Sequence, residues 1–367
     1  MTKEELDKKT EIISHLVKDM FEINAVYLSN DKLVLSLSHL MNNRPLGIKI
    51  ISERLKTAGY DFKLDENENG LLLHIDPKQK LRIPRLNIIL FFTTLFTVYF
   101  VPVFLKNLAT PGSFSDILDS TLNDLKSGDG IEFTIALISI LLVHEMGHFI
   151  TSRKCNIITS WPYFIPAPSF IGTFGAVIKS KSPFYNRQDL IAVGAAGPIA
   201  GWIVALFWLV YGLTHSVILP AELFSFKDMA FSMEGESILM RFMTWLLIGT
   251  APDGFFFKLS EAAFAGWVGL LVTAINMLPI GQLDGGHILY GLLRKRQHIL
   301  GLLAMGGLLI LGFSAPTWWV FGALGLIFGI KHPQTLDDTI SPSRTVKIMG
   351  IVSIIILILS FTPIPFR

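Results

Sequence analysis

The sequence contains little charge and almost no cysteine. Only 16% of its 367 residues are charged and the net charge is +2, a balance that argues against a nucleic-acid partner. The one cysteine, Cys155, excludes an internal disulfide and leaves the redox compartment open. No apolar stretch follows the charged N-terminal residues, and we therefore expect no cleaved signal peptide.

Apolar residues, by contrast, are abundant. They make up 51% of the chain, and the mean hydropathy of +0.53 is typical of an integral membrane protein. Four apolar runs have the length of a membrane-spanning helix, and three later ones lie near the lower limit. The four are 87–105, 131–152, 190–213 and 261–281; the three are 298–314, 316–330 and 346–362. We predict a polytopic α-helical membrane protein with six or seven spans.

The N-terminal part of the chain has a different pattern. A helical stripe of apolar residues covers 3–21, two strand-like runs follow, and a second helix is expected at about 45–59. Two further strands flank the polar stretch 65–70. We therefore predict a small α+β domain over 1–80, with no motif that reveals its role, and a membrane domain over 81–367.

The positions of lysine and arginine orient the predicted spans. Basic residues precede the first span, Arg153 and Lys154 end the second, and Arg294 follows the fourth. The loop 106–130 instead holds four aspartates against two lysines. We therefore expect the N-terminal domain and the inner ends of these spans to face the cytosol.

His144, Glu145 and His148 form a His-Glu-x-x-His motif inside the second predicted span. A helix places residues four apart on one face, where two imidazoles can bind one metal ion. Glu145 follows the first histidine and can reach a water molecule on that metal. Ionisable groups within a membrane span are costly and usually functional. The alternatives are a chance match, or a histidine pair satisfied by hydrogen bonds in the core.

A catalytic zinc ion needs a third protein ligand, and the end of the fourth predicted span offers Asp284. Asp284 precedes Arg294 by ten residues, much as His144 precedes Arg153 by nine, so both lie at similar depth. Pro279 breaks the helix there, which a membrane protein tolerates where backbone is buried or faces a water-filled cavity. Taken alone, Asp284 could equally be a turn residue; the histidine pair favours the ligand interpretation.

Together these two motifs resemble the site-2 protease family of intramembrane zinc metalloproteases, peptidase family M50. The resemblance covers about residues 130–290 and implies a three-helix catalytic core within about 131–290, with one Zn²⁺ per chain. The segments 166–175 and 194–198 are similar to the branch that includes archaeal, bacterial and plastid members. We accordingly expect an integral protein of a prokaryotic plasma membrane.

The resemblance also implies a role for each matching residue. His144, His148 and Asp284 would bind zinc, and Glu145 would be the general base that activates the zinc-bound water as nucleophile. Asn276 matches the family's polar residue that steadies substrate near the metal. The expected substrates are single-pass proteins cut within their transmembrane segments in the lipid bilayer. Whether the enzyme forms a homo-oligomer is left open.

Residues 163–180 are apolar but too rich in proline and glycine for a spanning helix. We expect a re-entrant loop or a β-hairpin beside the metal. Its turn region, Gly172, Thr173, Phe174 and Gly175, is a candidate for substrate binding, since a strand edge can pair with an unwound substrate segment. A loop that only packs over the cavity is an equally good interpretation.

Two other functions fit part of the pattern. A zinc-binding membrane scaffold would not need Glu145, and a transporter would be expected to show inverted repeats, which are not visible in the sequence. Gly194, Gly197 and Gly201 in the third span are interpreted as positions of close helix packing. His287 is interpreted either as a neighbour of the metal ligands or as a structural residue.

Overall fold

A computed structural model describes residues 3–29, 32–39, 44–58, 60–67, 70–79, 83–155, 157–220, 222 and 235–365. The chain divides into two compact units. The first comprises Met1–Arg85 with the later segments Ser152–Trp161 and Lys179–Tyr185. The second comprises Leu86–Thr151, Pro162–Ile178 and Asn186–Arg367.

The described residues of the first unit form a four-stranded antiparallel sheet with two helices. The elements are α1 (Lys3–Val17), β1 (Phe21–Ser29), β2 (Lys32–His39), α2 (Arg44–Ala58), β3 (Tyr60–Asn67) and β4 (Gly70–Gln79). The strands pair in the order β1-β2-β4-β3. Alternation along β2 turns Leu33, Leu35 and Leu37 to one face, where they are buried together with Ile13 of α1. The predicted small α+β domain is therefore confirmed.

The second unit is mostly helical. Its described helices are α3 (Arg85–Leu108), α4 (Phe114–Ser127), α5 (Ile131–Lys154), α6 (Arg187–Thr214), α7 (Ile238–Leu247), α8 (Glu261–Asn276), α9 (Asp284–Leu293), α10 (Gln297–Leu311), α11 (Thr317–Phe328) and α12 (Arg344–Ser360). Two short antiparallel sheets of two strands each lie between them. They are β5 (Tyr163–Pro166) with β6 (Thr173–Val177), and β7 (Val217–Pro220) with β8 (Phe255–Lys258).

Three helices of the described chain, α3, α5 and α6, are long and apolar enough to cross a membrane. They coincide with the first three predicted spans. The fourth prediction, 261–281, is wrong in its end: α8 stops at Asn276, because Pro279 lies where the next turn would form and cannot donate a backbone hydrogen bond. The three shorter apolar runs are helices α10, α11 and α12, and the total of six or seven spans stays a prediction.

Helix α8 lies at the centre of the second unit. Twelve of its sixteen residues are buried, and α6 packs along it at very short range. A Cβ at Gly212 would lie 2.0 Å from the backbone nitrogen of Ala263, and one at Gly266 would lie 2.5 Å from that of Leu209. Glycines thus allow the two backbones to approach closely, as small residues do between membrane helices.

The loop 106–130 contains a helix that the sequence analysis did not predict. Helix α4 begins with a capping box, in which the Ser113 hydroxyl accepts from the backbone N–H of Asp116 and the Asp116 side chain accepts from that of Ser113. It ends at Gly128, whose φ of 104° suits glycine. The aspartates of this loop therefore contribute more than negative charge, since Asp116 caps the helix.

Candidate metal centre

The unbroken helix α5 presents His144 and His148 on one face. Both residues are buried, their ring centroids are 5.0 Å apart, and their Nε2 atoms are separated by 3.2 Å. This geometry follows directly from the four-residue spacing in a regular helix.

Asp284, the first residue of α9, reaches the same point. Its Oδ2 atom lies 3.4 Å from Nε2 of His144 and 3.2 Å from Nε2 of His148. The structure therefore brings together the three side chains that the sequence analysis selected, although Asp284 is far from the histidines along the chain. Among the described residues, these three are the histidine, cysteine and acidic side chains found close enough to hold a metal ion together.

The spacing of the three donor atoms suits zinc. Ligands at about 2.0–2.1 Å from a tetrahedral zinc ion are about 3.3 Å from one another. The three separations here are 3.2, 3.4 and 3.2 Å, so the atoms can occupy three corners of such a tetrahedron. Two imidazoles with one carboxylate also leave the fourth corner open, which is the arrangement of catalytic zinc sites.

A backbone carbonyl orients one of the imidazoles. Nδ1 of His148 lies 2.8 Å from the carbonyl oxygen of Val193 on α6, so the ring N–H donates there and the Nε2 lone pair faces Asp284. Metal-binding histidines commonly have such a partner on the other ring nitrogen. The sequence carried no signal for it, because any residue type can supply a carbonyl.

The glycines of α6 make space for the histidines. A Cβ at Gly197 would lie 2.1 Å from Nε2 of His148, and one at Gly201 would lie 2.9 Å from Nδ1 of His144. The prediction of close packing at these positions is confirmed, and the neighbours are the imidazoles themselves. At Gly194 the neighbour is His287, whose Cβ would be 2.9 Å away.

Asn276 and Glu145 adjoin the three donor groups. Nδ2 of Asn276, the last residue of α8, lies 3.4 Å from Nε2 of His144. Glu145 is only 5% exposed and interacts electrostatically with His148 and Asp284. A carboxylate and an amide thus lie near the three donor groups.

Residues 163–180 contain a β-hairpin, which decides between the two expected conformations. Tyr163 pairs with Val177 and Phe164 with Ala176. Gly172 has a φ of 77°, and a Cβ there would lie 2.4 Å from the carbonyl oxygen of Thr97 on α3. The turn therefore packs against α3 at a position where only glycine fits.

The other three residues proposed for substrate binding have different surroundings. The Thr173 hydroxyl donates to the carbonyl of Ile165 at 2.8 Å and accepts from the backbone N–H of Gly175 at 2.9 Å, so it stabilises the hairpin itself. Phe174 is 74% exposed. Of the four, Phe174 is therefore the side chain available to a substrate.

His287 lies one turn beyond Asp284 and has a histidine partner. Its Nδ1 atom is 2.6 Å from Nε2 of His332, and Nδ1 of His332 is 2.5 Å from the carbonyl oxygen of Pro333. His332 thus donates to Pro333 and accepts from His287. No sequence motif pairs these two histidines, which are 45 residues apart.

Comparison with known proteins identifies the family. Residues 132–313, which include all three donor groups, match the model of peptidase family M50. The chain belongs to this family. The resemblance inferred from the two motifs is thereby confirmed.

Several curated plant proteins are similar to this chain over much of its length. "Probable zinc metalloprotease EGY2, chloroplastic" of Arabidopsis thaliana is 30% identical over 72% of this chain and 47% of its own length. The protein of the same name from Oryza sativa subsp. indica is 31% identical over 72% of this chain and 49% of its own. "Probable zinc metalloprotease EGY1, chloroplastic" of Arabidopsis thaliana is 30% identical over 62% and 42%. The chain spans about half the length of the EGY2 relatives. No solved structure matches it significantly.

Proposed function

We propose that this chain is an intramembrane zinc endopeptidase that cleaves the transmembrane segments of single-pass membrane proteins. The observation that carries the proposal is the meeting of His144, His148 and Asp284 at 3.2–3.4 Å, with both histidines in α5, a helix able to cross a membrane. Membership of family M50 and relatives named as probable zinc metalloproteases support both the metal and the reaction.

The chain's own residues have distinct tasks in this reaction. His144, His148 and Asp284 would hold the metal, and zinc bound there would polarise a carbonyl group and lower the pKa of a water molecule toward 7. The Glu145 carboxylate accepts the proton of the attacking water and returns it to the departing amide nitrogen. The amide of Asn276, beside His144, donates a hydrogen bond to the oxygen on which negative charge develops.

The β5–β6 hairpin is the proposed contact for the substrate backbone. A peptide bond inside a helix must be unwound before it is cut, and an unwound segment needs partners for its backbone groups within the membrane. The hairpin is a two-stranded sheet whose outer edge can supply those partners by strand addition. The exposed ring of Phe174 would contact the side chains of the added segment.

Two proposals concern the cellular location: the type of membrane and the orientation of the chain in it. We propose a prokaryotic plasma membrane, based on the similarity of the sequence to the branch with archaeal and bacterial members; the similar plant proteins carry the word chloroplastic in their names. The distribution of lysine and arginine supports a cytosolic N-terminal domain, with the metal nearer the cytosolic side.

The proposed function can be tested with the protein in its own membrane. Membrane proteomes of cells with the wild-type chain and with Glu145→Gln are compared, and single-pass proteins that accumulate in the variant are candidate substrates. Each candidate is then reconstituted with purified enzyme in liposomes. Cleavage within its transmembrane segment by wild type alone supports the proposal, and equal accumulation in both strains with no cleavage in liposomes contradicts it.

A further inference from the structure

Asp284 is held by a connection that is not helical. Between α8 and α9 the chain turns through residues 277–283, and this turn sets the direction of the Asp284 carboxylate. One anchor is the backbone N–H of Gly281, which donates to the carbonyl of Ile330 at 3.0 Å. Ile330 follows helix α11, so the segment after α11 supports the connection.

A single buried side chain links these pieces. Gln297, the first residue of α10, is 1% exposed, and its Nε2 donates to the carbonyls of Pro279 at 2.9 Å and Ile330 at 3.1 Å. Its Oε1 accepts from the backbone N–H of His332 at 3.2 Å. Both amide hydrogens and the amide oxygen are therefore used, and each bond joins a different backbone group.

The same segment after α11 also contacts α9 itself. His332 accepts the hydrogen bond from His287, one turn beyond Asp284. On the other side, the first turn of α9 lies directly on the connection, since a Cβ at Gly285 would be 1.9 Å from the carbonyl oxygen of Met277. Asp284 is thus fixed through the connection before it and through the helical turn after it.

We propose that Gln297 is a positioning residue of the metal centre, which keeps the Asp284 carboxylate within reach of the two imidazoles. The inference rests on the proposed zinc site and extends it to a side chain that does not touch the metal. A ligand side chain that is already held in place does not have to be ordered when the metal binds. Substitution of residues that support metal ligands commonly lowers metal affinity by about 10–100-fold.

The test measures zinc affinity rather than cleavage. Full-length protein in detergent is stripped of metal and titrated with zinc against a chromophoric chelator. We expect Gln297→Leu, which keeps the volume and removes all three hydrogen bonds, to bind zinc at least about tenfold more weakly than wild type. Gln297→Glu retains the acceptor for His332 and loses the donors, so a smaller loss is expected.

A glutamine elsewhere provides the matched control. The Gln188 side chain accepts from the backbone N–H of Ser343 at 3.0 Å and has no role in the connection, so Gln188→Leu should bind zinc like wild type. Melting temperatures of metal-free and zinc-loaded protein separate positioning from general stability. A positioning role shrinks the rise in melting temperature that zinc produces, whereas a structural role lowers both temperatures equally.

The outcomes distinguish the inference from the proposed function. The inference is wrong if wild type binds zinc and Gln297→Leu binds it equally well. It is also wrong if the melting temperatures of metal-free and zinc-loaded protein fall equally in both Gln297 variants. In either case the proposed zinc site stands. Failure of both variants to fold without metal would likewise overturn it, because Gln297 would then serve folding as a whole. If wild type itself binds no zinc, the proposed function fails.

Discussion

The two units of the molecule each contain a carboxylate in close contact with basic side chains, in very different surroundings. In the first unit, Arg54 donates two hydrogen bonds to Asp19 at 2.7 and 2.9 Å, with the Asp19 side chain 51% exposed. In the second, Asp284 lies 3.4 Å from His144 and 3.2 Å from His148, with its side chain 15% exposed. The buried contacts are the longer ones, and the two sets differ above all in access to water.

This difference separates a stabilising pair from a functional cluster. An exposed ion pair contributes little to the free energy of folding, because water solvates both partners when they separate. A buried carboxylate between two imidazoles, in a unit whose helices are able to cross a membrane, is expensive to desolvate, and a bound metal ion would compensate that penalty. The buried cluster is therefore interpreted as a binding site, and the exposed pair as a local surface contact.

The largest effect is expected when the buried carboxylate of Glu145, next to His144, is replaced by an amide. Glu145→Gln keeps the shape of the side chain and removes the group that accepts a proton, so we expect cleavage to fall by about 10²–10⁴-fold. Zinc content should remain at one ion per chain, because Glu145 is not among the three converging donors. Initial rates on a reconstituted substrate and metal analysis are the measurements, and wild-type rates in the variant would refute the role of Glu145.

The second prediction concerns the space that the buried site requires. In Gly197→Ala the new methyl group would lie 2.1 Å from Nε2 of His148. The imidazole must move away and can no longer share a metal ion with Asp284. We expect zinc affinity to fall by at least about tenfold, measured by competition with a chelator. Gly306→Ala is the control, since nothing lies within 4 Å of its Cβ position; equal affinity in both variants would contradict the geometry.

A smaller effect is expected at the hairpin. Phe174→Ala removes a ring that is 74% exposed, so the fold and zinc content should not change. If the ring contacts substrate, the lost burial is on the order of 1 kcal/mol, and kcat/KM should fall severalfold. Phe313→Ala removes a ring that is 83% exposed in another part of the unit and should leave kcat/KM unchanged. Indistinguishable kinetics of the two variants would remove the hairpin from substrate binding.

The smallest effect is expected for the exposed pair. Arg54 holds the pKa of Asp19 below its ordinary value near 3.8, so the pair stabilises the folded state above that pH and loses this effect as the pH falls through the lower, folded-state pKa. At pH 7, Asp19→Asn should cost less than about 1 kcal/mol.

Hydrogen exchange in α1 measures the effect at Asp19, with variant and wild type compared at the same pH. The variant should exchange slightly faster at pH 7, and the difference should shrink in strong acid. A loss of several kcal/mol at pH 7 would show that the exposed pair is as critical as the buried cluster, and the comparison would then fail.

The features predictable from the sequence are those encoded locally. Apolar length predicted helices α3, α5 and α6, and the four-residue spacing predicted that His144 and His148 share a face. The proximity of Asp284 to the histidines was predictable only from the basic residues that follow each motif in the chain. Those residues place Asp284 and the histidines at similar depth in the membrane. The resemblance to family M50 selected Asn276, which the structure places beside His144.

Other features depend on contacts between distant parts of the chain and were not predicted. The carbonyl of Val193 that orients His148 could come from any residue. Gln297 has no motif, since its three partners are backbone groups. Helix α4 was missed for a different reason: its aspartates were weighed as loop charges, although Ser113 and Asp116 form a capping box.

X-ray absorption at the zinc K-edge of the purified, zinc-loaded protein reports directly on the proposed ligands. We expect one zinc ion with two imidazole nitrogens at about 2.0–2.1 Å and a carboxylate oxygen at about 2.0–2.2 Å. The imidazole scattering should be lost in His144→Ala with His148→Ala, and the oxygen shell should change in Asp284→Ala. A spectrum with sulfur ligands, or one that these substitutions leave unchanged, would contradict the proposed zinc site.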